Sequence, residues 1–174
     1  MVIGRTLRAA LMAAAIATGA ATTARAEHLS IDIKVFGMDC ATCAHGLTVA
    51  MKKLEGVESV DISLTRSSAE VRLRPGNRVT VDDLRRIVKR NGFTPKEAVV
   101  TTVAVPVRRN GRLALEVSGQ PTVVAIATAG STPAALESLT QNAAKGVTLI
   151  VAGTLSQKAD GTEDIVVAGA KPRP

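Results

Sequence analysis

The chain has 174 residues, 46% of them hydrophobic, which is enough for one medium domain or two small ones. It has no Trp, no Tyr and only two Phe. Without a cluster of basic residues interleaved with aromatic side chains, the sequence excludes a nucleic-acid interface. The formal net charge of the whole sequence is +7.

The first 26 residues predict a secretory signal peptide. Arg5 and Arg8 form a positive n-region, residues 9–21 an apolar segment, and Ala24-Arg25-Ala26 a small-x-small cleavage site. No later apolar run approaches about 18 residues, so we expect a protein that is not membrane-embedded. Cleavage near Ala26 would remove three arginines and lower the net charge from +7 to +4, a mildly basic balance that favours an acidic partner surface. We therefore expect a periplasmic or secreted protein.

Residues 27–99 carry the pattern of a small α+β domain. Apolar residues alternate with polar ones at 29–35, 60–64 and 69–73, and they recur at helical spacing at 47–54 and 84–88. Gly56 is expected to end the first helix, and Thr80 and Asp83 predict a capping box before the second. A further strand over 95–99 completes the order β-α-β-β-α-β, which predicts a ferredoxin-like sandwich.

Residues 100–174 predict a second, mostly-β domain. Arg109-Asn110-Gly111 is a hairpin-turn signal, and Thr132-Pro133 is a cap and first-turn proline for a helix that ends at Lys145-Gly146. The order β-β-β-α-β-β fits a small OB-like barrel. No low-complexity linker separates the two units, and residues 97–107 are compatible with one strand shared by both.

Both cysteines lie in the cysteine motif, Gly37-Met38-Asp39-Cys40-Ala41-Thr42-Cys43, between a predicted strand and a predicted helix. Thiolate is the form of cysteine that binds metal, and a helix N-terminus favours it. Soft thiolates select soft ions such as Cu(I) or Hg(II). Two ligands leave the ion open to attack by a partner's cysteines, so Cys40 and Cys43 predict a site for metal transfer.

Other uses of the two thiols are weaker. A thiol-disulfide redox protein shares the C-x-x-C spacing, but Ala41-Thr42 differs from the usual aromatic-Cys-Gly-Pro-Cys context. A disulfide that closes a four-residue loop stabilises little. Haem attachment requires C-x-x-C-H, and His45 stands one position too late. A zinc finger would need His28 and His45, whose spacing fits no finger pattern.

Residues 29–99 resemble the heavy-metal-associated domain family, which includes copper chaperones, the periplasmic mercury-binding protein and the N-terminal domains of metal-exporting P-type ATPases. The matching residues are Gly37-Met38-x-Cys40-x-x-Cys43, Leu54-Glu55-Gly56-Val57 and Asn91-Gly92-Phe93. The resemblance implies a non-catalytic carrier, monomeric, that passes a soft metal ion to a metal-transporting membrane protein or another carrier.

The same resemblance assigns roles to single residues. Met38 is expected to pack beneath the metal loop, and Phe93 to shield the thiolates. Asp39 stands where many copper-binding relatives have threonine. It is either a solvated loop or N-cap residue, or a third ligand that would suit Zn(II), Cd(II) or Pb(II).

Two features leave further interpretations open. The basic run Arg85, Arg86, Lys89 and Arg90 is expected to be a solvated helix face, with docking to an acidic transporter surface as the sharper alternative. Residues 100–174 contain no Cys, no His and no aromatic, and they offer no catalytic constellation. The C-terminal domain is therefore also open to a role as an interaction module that metal binding regulates.

Overall fold

The computed structural model describes residues 27–117, 123–158 and 161–173. The predicted signal peptide lies outside these residues. Eight strands and three helices follow in chain order: β1 Glu27–Phe36, α1 Ala41–Lys52, β2 Val57–Ser63, β3 Ser68–Leu73, α2 Val81–Arg90, β4 Thr94–Arg109, β5 Arg112–Glu116, β6 Val124–Ala127, α3 Pro133–Ala143, β7 Leu149–Gln157 and β8 Glu163–Pro172. None of the helices in the described ranges is long and apolar enough to cross a membrane.

The first six elements follow the predicted order β-α-β-β-α-β. Their strands pair in the order β2-β3-β1-β4, and every pair is antiparallel. The alternation in β1 puts Ile31, Ile33 and Val35 into the core, and α1 adds Leu47 and Met51 to it. The hydrophobic core of this unit therefore lies between its sheet and α1, the helix that follows the cysteine motif.

Strands β4, β5, β6, β8 and β7 close into a five-stranded barrel, because β7 also pairs with β4. Only the β6–β8 pairing is parallel among the described strands. The hairpin predicted at Arg109-Asn110-Gly111 is present, with φ of 50° at Asn110 and 76° at Gly111. Positive φ at both central residues is the geometry of a two-residue hairpin turn.

Strand β4 is common to the sheet and the barrel. Its 16 residues run without interruption through the predicted domain boundary at 99/100. Residues 98–103 have β1 on one side and β7 on the other. Buried residues from both units accordingly belong to one continuous hydrophobic cluster.

The prediction of a uniformly solvated basic face on α2 is wrong at one position. Arg85 is 5% exposed, and its Nη1 donates to the Asp82 carboxylate at 3.1 Å and to the Glu163 carboxylate on β8. Arg86, Lys89 and Arg90 are exposed, as expected. Periodicity on α2 alone did not reveal Arg85 because its partner lies 78 residues further along the chain.

Candidate metal centre

The two cysteines occupy the N-terminus of α1. Cys40 is the N-cap residue, with extended backbone angles of φ −129° and ψ 146°, and Cys43 is the third residue of the helix. The Cys43 backbone N–H donates to the Cys40 Sγ at 3.0 Å. The sulfur thus takes the place that a serine or aspartate oxygen takes in an ordinary cap, where a negative charge is stabilised by the free N–H groups and the helix dipole.

The residues of the cysteine motif differ in their exposure to solvent. Asp39 and Cys40 are exposed, whereas Cys43 is half-buried and packs against the core. Met38 is only 2% exposed, which agrees with the expectation that it packs inward. Gly37 has a φ of +88°, a conformation that turns the chain out of β1 and that other residues rarely adopt. Cys40 is therefore accessible to solvent, and Cys43 lies at the edge of the core.

Cys40 and Cys43 form a disulfide, with their Cα atoms 5.2 Å apart. In this form neither sulfur is a thiolate, so the pair cannot serve as a metal ligand set. Reduction by two electrons and two protons cleaves the S–S bond and gives two thiols, which can ionise to thiolates. Metal binding by this pair would therefore require the dithiol form.

Within residues 27–117, 123–158 and 161–173, no three His, Cys, Asp or Glu side chains are grouped so that they could hold a metal ion. Asp39 is exposed, and the N-cap of α1 is Cys40, so the alternative role of Asp39 as that cap is wrong. His45 is exposed on α1, whereas His28 is buried at the far end of β1, about 26 Å along the strand from Phe36. The two histidines therefore do not meet at the cysteines.

Burial changes the acid-base behaviour of His28. His28 is 3% exposed, and desolvation lowers its pKa from 6.5 to about 4. The imidazole is neutral at physiological pH. His28 is thus part of the sheet's interior rather than of the metal centre.

An exposed aromatic beside the motif was missed by the sequence analysis. Phe36 is 69% exposed directly before Gly37, and the Lys96 ammonium lies 5.9 Å from its ring centroid. The signal was available, because Phe36 is out of phase with the inward residues of β1 and must point to the other face. Phe93 is half-buried and packs against the core. Its predicted shielding of the thiolates stays a prediction.

Comparison with known proteins identifies the first unit. Residues 32–94 match the family model described as the heavy-metal-associated domain. Residues 32–94 are a heavy-metal-associated domain. The match includes both cysteines and ends at the start of β4, so the barrel lies outside it.

Three relatives illustrate the similarity. Human copper-transporting ATPase 2 is 33% identical over 61 residues, which are 35% of this chain and 4% of that protein. The yeast copper transporter domain CCC2A is 30% identical, with 38% of this chain and 89% of that one covered and a TM-score of 0.36. The CopZ metallochaperone is 23% identical, with 38% and 97% covered and a TM-score of 0.36. The chain thus spans a very small part of the curated relative.

Proposed function

We propose that the reduced protein binds one thiophilic metal ion, Cu(I) or Hg(II), through Cys40 and Cys43 and passes it to a partner. The observation that carries this proposal is the Cys40 sulfur at the N-cap of α1, which accepts the Cys43 N–H at 3.0 Å. In the reduced protein, this hydrogen bond and the helix dipole would both favour a thiolate at Cys40. The ligand set suits a soft, low-coordinate ion.

Copper is supported by the homologues. The human ATPase and the yeast domain are both copper transporters by name, and a metallochaperone is among the similar chains. Because a two-thiolate site leaves an ion open to a third sulfur, the partner is a metal-transporting membrane protein or another carrier that contributes its own thiolates. Binding and release then need no catalytic residue, and the protein is not an enzyme.

The decisive experiment is a titration of the reduced protein with Cu(I) and with Hg(II), read by native mass spectrometry. One ion per chain is expected, and Cys40→Ser or Cys43→Ser should each abolish tight binding. His45→Ala is the matched control, since His45 is exposed on the same helix. Retention of the same stoichiometry by the double serine variant would show that the metal lies elsewhere.

A thiol-disulfide redox protein is the second candidate, and the Cys40–Cys43 disulfide favours it. Such a protein would reduce or isomerise disulfides of substrates with repeated turnover. A metal carrier should show none in an insulin-reduction assay. Sustained turnover would favour the redox function over the carrier.

The site also has an alternative cargo. Asp39 lies next to Cys40 and is exposed, so its carboxylate would add a hard oxygen ligand for Zn(II), Cd(II) or Pb(II). The two-thiolate site favours Cu(I) over these ions, because they need three or four ligands.

Export follows from the pattern of the first 26 residues. We propose that a signal peptide is cleaved after Ala26 and that the mature protein is a periplasmic or secreted monomer without a nucleic-acid partner. N-terminal sequencing of the exported protein should then read Glu27 first. Recovery of the uncleaved chain from a membrane fraction would contradict the assignment.

The topology supports two finer fold assignments. We propose a ferredoxin-like sandwich for the first unit, supported by the element order β-α-β-β-α-β and the antiparallel strand order β2-β3-β1-β4. In the barrel, numbering its strands along the chain, the order is 1-2-3-5-4-1, with α3 between the third and fourth strands and the 3–5 pair parallel. We assign this arrangement to the OB type.

A further inference from the structure

The β4–β5 hairpin ends in a concentration of positive charge. Arg108 and Arg109 are the last residues of β4, and Arg112 is the first of β5. All three are exposed. We call these three residues the arginine tip.

The register of the hairpin sets two of these charges against each other. Arg109 and Arg112 are directly opposite across the two strands. Directly opposed side chains have Cβ atoms about 5 Å apart, and like charges at this distance destabilise a hairpin. The two-residue turn with positive φ at Asn110 and Gly111 fixes this arrangement. The arginine tip is thus built at a cost in stability.

No acidic side chain among the described residues pairs with the arginine tip to offset this repulsion. None of the three arginines makes an ion pair or hydrogen bond with another described residue, unlike Arg72, Arg85 and Arg86. Between Glu97 and Glu137 the sequence has one acid, Glu116. That residue pairs with Val105, about 13 Å along the strands from the Arg109–Arg112 pair. The charge of the arginine tip is available to a partner.

We propose that the arginine tip is a docking site for a short acidic segment of a partner protein. Guanidinium groups bind carboxylates in a bidentate manner, and two of them at a fixed spacing suit neighbouring Asp or Glu side chains. A hairpin two strands wide presents a narrow contact. Three charges also fall below the four to eight basic residues typical of recognition of anionic lipid surfaces. These features favour an acidic peptide over a membrane.

The arginine tip lies at the opposite end of β4 from the cysteine motif. Thr94, the first residue of β4, pairs with Phe36 at the edge of the motif, and Arg109 is fifteen residues further on. An extended strand of that length spans up to about 50 Å. A partner held at the tip therefore leaves Cys40 and Cys43 uncovered. The docking site goes beyond the proposed metal function and does not depend on it.

The test uses the full mature chain and a fluorescein-labelled twelve-residue peptide of alternating Glu and Ser, followed by fluorescence anisotropy at 50 mM NaCl. One variant replaces the three residues of the arginine tip with Gln. The control variant carries the same charge change at three exposed cations elsewhere that also lack an ion pair with any described residue, Lys52, Lys53 and Arg90. The tip variant should bind the peptide at least about tenfold more weakly, and the control should stay within about twofold of the parent.

A stability measurement gives an independent check. Arg112→Gln should raise the melting temperature by about 1–2 °C because it relieves the Arg109–Arg112 repulsion, while it weakens peptide binding. Equal loss of binding in the tip and control variants would overturn the proposal, because only net charge would then matter. Absence of peptide binding by the parent would overturn it as well. So would tighter binding to vesicles of anionic phospholipid than to the peptide, lost in the tip variant, since the occupant would then be a membrane.

Discussion

At the scale of single residues, Cys40 has two tasks. Its sulfur caps α1 through the Cys43 N–H, and the same sulfur is the exposed member of the proposed ligand pair. An incoming soft cation would sit against an electron-rich sulfur that the helix already stabilises. A serine at this position keeps the cap and removes the soft ligand, so Cys40→Ser separates folding from metal binding.

Asp39→Thr tests whether the neighbouring carboxylate selects the metal. We expect Zn(II), Cd(II) or Pb(II) affinity to fall by about 10–100-fold and Cu(I) affinity to stay nearly unchanged, because two thiolates already satisfy Cu(I). Competition titrations with chelators measure both. Asp61→Thr is the control, an exposed acid on β2. Equal losses for both metal classes would mean that Asp39 acts on the conformation of the motif.

Because His28 is buried in its neutral form, we expect the free energy of unfolding to fall in mild acid. The pKa of His28 is lowered to about 4 in the folded protein, whereas the unfolded value is near 6.5, so the unfolded state takes up the proton first. The contribution is intact above pH 6.5 and decreases as the pH falls towards 4. By pH 5 the loss relative to pH 8 is about 2 kcal/mol. Urea unfolding at both pH values should show this extra dependence in the parent and not in His28→Gln; parallel pH profiles would contradict it.

At the scale of elements, the start of α2 is specified by its own sequence. The Thr80 hydroxyl accepts the Asp83 N–H at 3.1 Å, and the Asp83 carboxylate accepts the Thr80 N–H at 2.9 Å. This is the capping box that the spacing of the two residues predicted.

Thr80→Ala should lower the free energy of unfolding by about 1 kcal/mol, because it leaves the Asp83 N–H in the first turn without its acceptor. Chemical denaturation measures the change. Thr140→Ala is the control, because Thr140 is exposed within α3 and its hydroxyl donates to the Leu136 carbonyl of the same helix. A loss as large at Thr140 as at Thr80 would show that the box has no special weight.

Local signals predicted the elements well and the long-range pairings less well. The alternation of apolar residues and the capping residues correctly predicted β1, α2 and the Asn110-Gly111 turn. Each of these features depends on residues only a few positions apart in the sequence. The position of both cysteines at the start of α1 was predicted for the same reason. The burial of Arg85 was not, since it depends on Glu163 in a distant strand. Nor did periodicity settle that β4 continues past residue 99, because a shared strand has the same alternation as two separate ones.

At the scale of the whole molecule, a buried ion pair links the two units. Arg85 on α2 has a side chain 6% exposed, and Glu163 on β8 one 15% exposed. Removal of one partner leaves a buried charge with poorer compensation, which is more costly than losing the pair as a whole.

Glu163→Gln should therefore destabilise the protein by about 2–3 kcal/mol, less than a fully isolated buried charge would, because Asp82 still accepts from Arg85. Denaturant unfolding is the measurement, and exposed Glu137→Gln is the control. The double variant Arg85→Met/Glu163→Leu should recover part of the loss. A double variant less stable than Glu163→Gln would contradict this account.

Because β4 runs through both the sheet and the barrel, metal binding at the cysteines should also affect the stability of the barrel strands. Residues 98–103 of β4 are hydrogen-bonded to β1 and to β7, so the sheet and the barrel cannot open independently along this strand. A ligand that binds only the folded state lowers the population of every opened state that destroys its site. A Cu(I) ion held by Cys40 and Cys43 should thus slow amide hydrogen exchange in β7 and β8, which lie outside the domain that binds it. Slowing confined to β1 and α1 would show that the shared strand opens in two separate halves.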